Sequence, residues 1–433
     1  MNHYAKMIYQ LKSPETMKKL THLYGQRDGI LVKQTTRYTQ LIKRHEELIN
    51  SKSGCLYMIS APGRTEIGGN HTDHNNGKVL AAAVNLDALS AVTKRDDMQV
   101  NLYSEGYAPL SISLDDLSLN EDEKGTTTSL LRGVASKLKE LGFTIGGFDA
   151  VIQSTVRGGS GLSSSASIEV LFCSIFDTLY NDNSLDFKTR AIISQYAENV
   201  YFGKPSGLMD QMASSCGGLA FIDFKDADAI VKPIAYDFST KGYSLVVVAT
   251  GGSHDDLTDD YAAIPVEMRA VASFFGEQSL RPVSLEDFMR NIPAIRKKLD
   301  IPNKDRAILR AYHYFTENTR VVKEADALMQ DDIDQFLNLI IESGRSSYDY
   351  LQNIFCKFDQ QQLSLALMMS EHLLHNKGAW RIHGGGFAGT ILAFVPDSQL
   401  TKYLRDMREV FGDDSCDVLD IRPVGPACIP LCV

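Results

Sequence analysis

Between residues 148 and 180 the chain reads "FDAVIQSTVRGGSGLSSSASIEVLFCSIFDTLY". A strand-like run enters a glycine–serine loop, and the loop opens at once into a long apolar helix. That junction constrains the fold more than any other stretch. Glycines ahead of a helix let successive backbone N–H groups turn toward one point, where the helix start adds unpaired donors and partial positive charge. Gly158, Gly159, Ser160, Gly161, Leu162, Ser163, Ser164 and Ser165 are therefore read as a cradle for nucleotide phosphates. The serine hydroxyls suit phosphate oxygens or Mg²⁺. A simple capping turn is the plainer alternative, and the apolar helix behind the loop (Val170, Leu171, Phe172, Ile175, Phe176) speaks against it. The spacing fits neither G-x-x-x-x-G-K-[ST] nor the dinucleotide G-x-G-x-x-G.

Two further stretches carry chemistry. "GRTEIGGNHTDHNNG" (63–77) packs polar and glycine residues around a single large apolar one, Ile67. That composition predicts a ligand-binding segment outside the core. "AENVYFGKPSGLMDQMASS" (197–215) holds Glu198 beside helical apolar positions and Asp210 between Met209 and Met212, where a charge is costly unless something uses it. Both are candidates for a base or a metal ligand, with a capping or buried pair as the structural alternative. "HGGGFAG" (383–389) lies between two strand-like runs, and reads as either a tight hairpin or a second close backbone approach.

The remaining sequence bounds the class. At 433 residues two domains are expected. The net charge of −10 and the lack of a basic block exclude a nucleic-acid partner. Seven scattered cysteines, of which only Cys428 and Cys432 lie close, predict reduced thiols in a cytoplasmic protein. No apolar run is long enough for a membrane span, and the first residues lack a signal-peptide pattern. Helices are expected over 13–25 and 35–51, at 128–143 and 188–202, and near 303–318, 332–349 and 362–376. The polar segment 225–242 is where a domain boundary is expected.

Taken together these motifs resemble the galactokinase family of the GHMP small-molecule kinases. The family's first motif, A-P-G-R-V-N-L-I-G-E-H-T-D-Y-N-x-G, stands here as "APGRTEIGGNHTDHNNG". The phosphate loop P-x-G-x-G-L-S-S-S-A-S stands as "RGGSGLSSSAS", the catalytic segment as "AENVYFGKPSGLMDQ", and the last glycine motif as "GAWRIHGGGFAG". The order is the family's, and the motifs run from residue 61 to 389; the helix over 35–51 looks like an insertion.

The resemblance implies an α+β fold of two domains with the active site between them. An N-terminal ribosomal-protein-S5-like domain, with an extra helical segment, would span 1–225, and a ferredoxin-like domain 226–433. It also implies ATP as co-substrate, Mg²⁺ as cofactor, and phosphorylation of a sugar's anomeric hydroxyl, galactose above all. Asp210 would take or orient the hydroxyl proton, with Arg64 paired to it. Glu198 and Ser165, or its neighbour Ser164, would hold Mg²⁺. Asn70, His71, Asp73, His74, Gly207, Asp210 and Tyr261 would line the sugar, and Gly384, Gly385 and Gly386 would press near both substrates. The chain would act as a monomer or weak dimer.

Departures fall where the sugar is read. Asn70 replaces the family's glutamate and His74 its tyrosine, so the site loses a negative charge. A sugar altered at C6 or C2, such as galacturonate or glucuronate, is thus a competing substrate. A sugar sensor without catalysis is a further alternative, although such proteins lose part of the serine loop, intact here. Thr65, Glu66 and Arg157 depart from the pattern without an evident reason in the sequence.

Overall fold

The computed structural model describes residues 2–432 apart from 52–53, 159–160, 227, 252–257, 355–358, 376 and 388. After α1 (His3–Leu11), α2 (Pro14–Tyr24) and α3 (Ile30–Leu48) the chain lays down β1 (Cys55–Gly68), β2 (Lys78–Lys94), β3 (Gln99–Ser104) and β4 (Leu110–Ser113). Next come α4 (Thr127–Glu140), β5 (Phe148–Ser154), α5 (Ser164–Tyr180), α6 (Phe187–Tyr196) and α7 (Met209–Cys216). The chain continues through β6 (Leu219–Asp223), β7 (Ile230–Ile234) and β8 (Tyr243–Ala249) to the helices α8 (Thr258–Phe274), α9 (Leu285–Lys298), α10 (Lys304–Met329), α11 (Ile333–Ser346) and α12 (Gln362–Leu374). It closes with β9 (Ala379–His383), β10 (Thr390–Pro396), α13 (Asp397–Phe411), β11 (Cys416–Leu419) and β12 (Ala427–Cys432).

Two sheets result, and the fold is α+β as expected. The first has the order β12-β1-β2-β5-β3-β4, with β6 on β2 and β7 on β6. Alternate residues of its strands face opposite ways, and both faces are covered. Ile59, Ala88 and Val92 pack on one face with Leu131 of α4, Phe172 and Phe176 of α5 and Ile193 of α6. Met58, Leu89 and Val151 pack on the other with Tyr4, Leu20, Tyr38 and Leu41. The N-terminal helices are thus the second cover of this sheet. Arg37 of α3 fixes them by an ion pair of 2.5 Å to the buried Asp87 of β2, which also receives the Tyr24 hydroxyl at 2.5 Å.

The second sheet, β11-β8-β10-β9, is antiparallel throughout. Val321, Phe336 and Ile340 of α10 and α11 pack on one face and Leu363, Tyr403 and Met407 of α12 and α13 on the other. The division at 225/226 does not separate the sheets: β7 and β12 both complete the first one. β12 does so because its whole length pairs antiparallel with β1, from Cys55↔Cys432 to Ser60↔Ala427.

That pairing corrects the expectation of reduced thiols. Cys55 and Cys432 stand opposite each other with Cα atoms 4.2 Å apart, and their sulfurs are bonded. A separation of 377 residues hides the pair from any reading of spacing. Cys173, Cys216, Cys416 and Cys428 are free. The helices α8 and α9 were not expected either. Pro265 and Pro293 lie inside them, and proline normally ends a helical pattern. Among the described residues no helix is long and apolar enough to cross a membrane.

Candidate active site

The first motif is not a surface loop. Residues 61–68 continue β1, and of residues 63–77 only Asp73, His74 and Asn76 escape full burial. Most polar groups there are hydrogen-bonded within the fold, Asn70 and Thr72 among them. Register shifts between Pro62 and Arg64 and between Glu66 and Gly68 break the β1–β2 ladder and re-aim those side chains, as bulges beside active sites do.

Arg64 turns toward the glycine–serine loop. Its Nε donates to Asp210 Oδ1 at 2.7 Å, its Nη1 to the Gly161 carbonyl, and its backbone N–H to the Leu162 carbonyl at 3.1 Å. Asp210 sits in the first turn of α7, and its other oxygen accepts from the Ser163 hydroxyl. Burial alone would raise the Asp210 pKa; the Arg64 charge and these hydrogen bonds hold it below the usual carboxylate range. Ser163 is left-handed (φ 56°) at the start of α5, where the first-turn N–H groups lack helical acceptors. Leu162 turns its side chain into the core. Gly158 is exposed at the loop's entry, and Gly159 and Ser160 lie outside the described residues.

In the first turn of α5, Ser165 donates to Glu198 Oε1 at 2.9 Å. Glu198 stands on a π-helical turn, Ala197–Phe202, that ends α6 sooner than expected, a feature frequent at functional sites. Its second oxygen accepts from Ser206 at 2.6 Å and from Gln211 Nε2 at 2.8 Å. Gln211 also donates to the buried Glu169 at 3.0 Å, whose pKa burial and the Glu198 charge push well up. A hydroxyl and a carboxylate oxygen side by side are hard donors of the kind Mg²⁺ takes in small number, and the pair fits that ion. Among the described residues no group of three or more acidic, histidine or cysteine side chains gathers for a metal.

Asp73 opens a short 3₁₀ turn and lies against Gly207, where an added Cβ would meet its Oδ2 at 1.9 Å. The sugar motif and the catalytic segment therefore touch. His71 donates from Nε2 to the Gly385 carbonyl at 3.0 Å and stacks on His74, ring centroids 5.6 Å apart. Burial lowers the His71 pKa to about 3, so the ring is neutral. Tyr261 donates to the Gly386 carbonyl at 2.9 Å and covers Gly385, while Gly384 lies over Gly161. Contacts thus link Arg64, Gly161, Ser163 and Asp210 on one side, and His71, Tyr261 and Gly384–Gly386 on the other, through the approach of Gly384 to Gly161.

Asn70 differs from the rest. It is fully buried, and its amide nitrogen donates to Glu66 at 2.9 Å and to the Gly384 carbonyl at 2.6 Å. Its amide oxygen accepts from Asn353 at 2.8 Å, and its backbone carbonyl from His313 at 2.9 Å. The side chain is spent inside the protein, so the expectation that it reads the sugar is corrected. The unexplained departures also find partners. Glu66 pairs with Arg381 at 2.7 Å, Thr65 with His383 Nε2 at 3.0 Å, and Arg157 donates to the Asp414 carbonyl at 2.7 Å. Asn353, Arg381, His383 and His313 gave no separate signal, since their roles depend on contacts some 240 to 320 residues away along the chain.

Residues 129–218 match the family model for the GHMP kinases N terminal domain, and residues 43–94 that for the galactokinase galactose-binding signature. The second match begins within α3, so the part of that helix from residue 43 on is not an insertion. The galactokinase of Lactococcus lactis, solved with galactose, superposes with a TM-score of 0.78 at 23% identity, over 90% of this chain and 99% of that one. The mevalonate kinase of Methanococcus jannaschii gives 0.60 at 16% identity, over 84% and 98%. The phosphomevalonate kinase of Streptococcus pneumoniae, solved with phosphomevalonate and AMPPNP, gives 0.55 at 14%, over 86% and 99%. The chain therefore carries the GHMP-kinase N-terminal domain and the galactokinase galactose-binding signature, and it has the fold of these kinases, in line with the resemblance its motifs imply.

Proposed function

We propose that the protein transfers the γ-phosphoryl group of ATP to the anomeric hydroxyl of a hexose, with galactose as the substrate and galactose 1-phosphate as the product. The observation that carries this reading is the Arg64–Asp210 pair at 2.7 Å, set between the phosphate loop and the Asp73–Gly207 contact. Asp210, ionised at neutral pH, accepts a hydrogen bond from the hydroxyl and takes or guides its proton. Arg64 keeps that carboxylate charged and faces the transferring phosphoryl group, whose negative charge it offsets. Residues 158–165 receive the β- and γ-phosphates on backbone N–H groups and hydroxyls. Ser165 and Glu198 hold Mg²⁺, which when bound neutralises phosphate charge. Asp73, His71, His74 and the Gly207 backbone read the sugar, with Tyr261 closing the site through Gly385 and Gly386.

The competing reading is a 1-kinase for a sugar altered at C6 or C2, a uronate first among them, favoured by the uncharged, inward Asn70. His71 weighs against a carboxylate. With Nε2–H committed to Gly385, its Nδ1 is a buried lone pair with no partner among the described residues. A lone pair suits a sugar hydroxyl and repels a carboxylate. The test is ADP release with ATP, Mg²⁺ and galactose, N-acetylgalactosamine, galacturonate, glucuronate, glucose or arabinose, with Asp210→Asn as control. Turnover on galactose that the variant loses supports the proposal. Turnover on a uronate alone replaces the substrate, and silence on every sugar removes the reaction.

A further inference from the structure

Glu198 Oε1 has a second partner besides Ser165. The ammonium of Lys204 lies 3.1 Å from it, and this lysine side chain is 60% exposed against 2% for the carboxylate. The π-helical turn explains the meeting: it ends at Gly203 in the left-handed region, and the Lys204 N–H returns to the Glu198 carbonyl at 3.1 Å. The lysine is thereby brought back beside the carboxylate six residues earlier. The two Glu198 oxygens are treated differently. Oε2 is held by the neutral donors Ser206 and Gln211, which fix the carboxylate's direction. Oε1 faces the loop, and its charge is met by a long, solvent-reaching side chain that can leave.

We propose that Lys204 is a displaceable cation that competes with Mg²⁺ for Glu198 Oε1, and so sets the Mg²⁺ concentration at which the nucleotide site fills. Without the metal it neutralises a carboxylate that would otherwise be a buried unpaired charge. With the metal it swings into solvent beside the phosphates. This inference rests on the reading of Glu198 and Ser165 as the Mg²⁺ holders.

The experiment is calorimetric titration of ADP at a series of Mg²⁺ concentrations, with wild type, Lys204→Met, Lys204→Arg and Glu198→Gln. Lys204→Met should lower the Mg²⁺ concentration for half-maximal tightening of ADP by about fivefold, the scale of one part-exposed ion pair removed. Lys204→Arg, which keeps the charge, should stay near wild type. An unmoved midpoint in Lys204→Met, with Glu198→Gln losing the Mg²⁺ response, overturns the competition and leaves the metal site standing. A Glu198→Gln protein that keeps the wild-type Mg²⁺ response overturns both. Weaker ADP binding without Mg²⁺ in Lys204→Met, at an unchanged midpoint, makes the lysine a phosphate contact instead.

Discussion

Asn70 donates to Glu66 at 2.9 Å, and this bond joins two positions at which the first motif departs from the galactokinase pattern. The family pattern places asparagine at the first position and glutamate at the second; here the types are exchanged and the pair is still an amide on a carboxylate. The charge has moved to Glu66, where Arg381 meets it at 2.7 Å, although burial still pushes the Glu66 pKa up to about 7. Restoring glutamate at position 70 alone should therefore fail. Asn70→Glu would set two carboxylates side by side and leave the Gly384 carbonyl without its donor, a cost of about 3–5 kcal/mol and a clear fall in Tm. Glu66→Asn combined with Asn70→Glu should recover much of it. Thermal unfolding of the four proteins gives the coupling energy, which additive effects would set to zero.

Gly207 and Asp73 give a test of the sugar site. A Cβ at Gly207 would lie 1.9 Å from Asp73 Oδ2, and no left-handed backbone is involved, so the effect is steric. Gly207→Ala should push the carboxylate from the position in which it reads hydroxyls. The expected result is a rise of about tenfold or more in KM for the sugar with KM for ATP within about twofold, since loss of one charged hydrogen bond costs about 1.5–3 kcal/mol. Equal rises in both would place the disturbance in the fold.

Much of the site was legible in the sequence, because its chemistry is local. The loop before α5, Asp210 in the first turn of α7 and the order of the motifs all follow from residues a few positions apart. What escaped reading depends on tertiary pairing. Asn70 looked ligand-facing because nothing near it in sequence announces Asn353 or Gly384. The polar residues of 63–77 looked exposed because Arg381 and His383, which satisfy Glu66 and Thr65, arrive from the second sheet. The helices over residues 1–50 looked like an addition until the sheet face they cover was in view.

Cys55 and Cys432 tie the start of β1 to the end of β12. Iodoacetamide should label neither until a reductant is added, which peptide mass spectrometry reads directly. Cys432→Ser should lower Tm by a few degrees, since a disulfide of this kind contributes about 2–4 kcal/mol. Full labelling of both in the untreated native protein would contradict the bond.

Glu324 of α10 is fully buried beneath Gly68, where any side chain would collide with it: an added Cβ meets its Oε2 at 1.9 Å. Neither of its oxygens has a partner among the described residues. Burial and the nearby Glu317 charge raise its pKa, and Arg381 and Arg320 only partly oppose them. The folded protein therefore keeps this proton over a range of pH in which the unfolded chain has lost it. The stability tied to it is fullest below the ordinary carboxylate range, and falls as pH rises through that range toward the raised folded value. The slope from one such group is about −1.4 kcal/mol per pH unit. Glu324→Gln keeps the shape without the proton, so it should flatten this dependence, and its stability relative to wild type should grow with pH. Urea unfolding at several pH values from 5 to about 8 tests this. Parallel curves for the two proteins would mean that Glu324 is ionised in the fold and paired with Arg381 or Arg320.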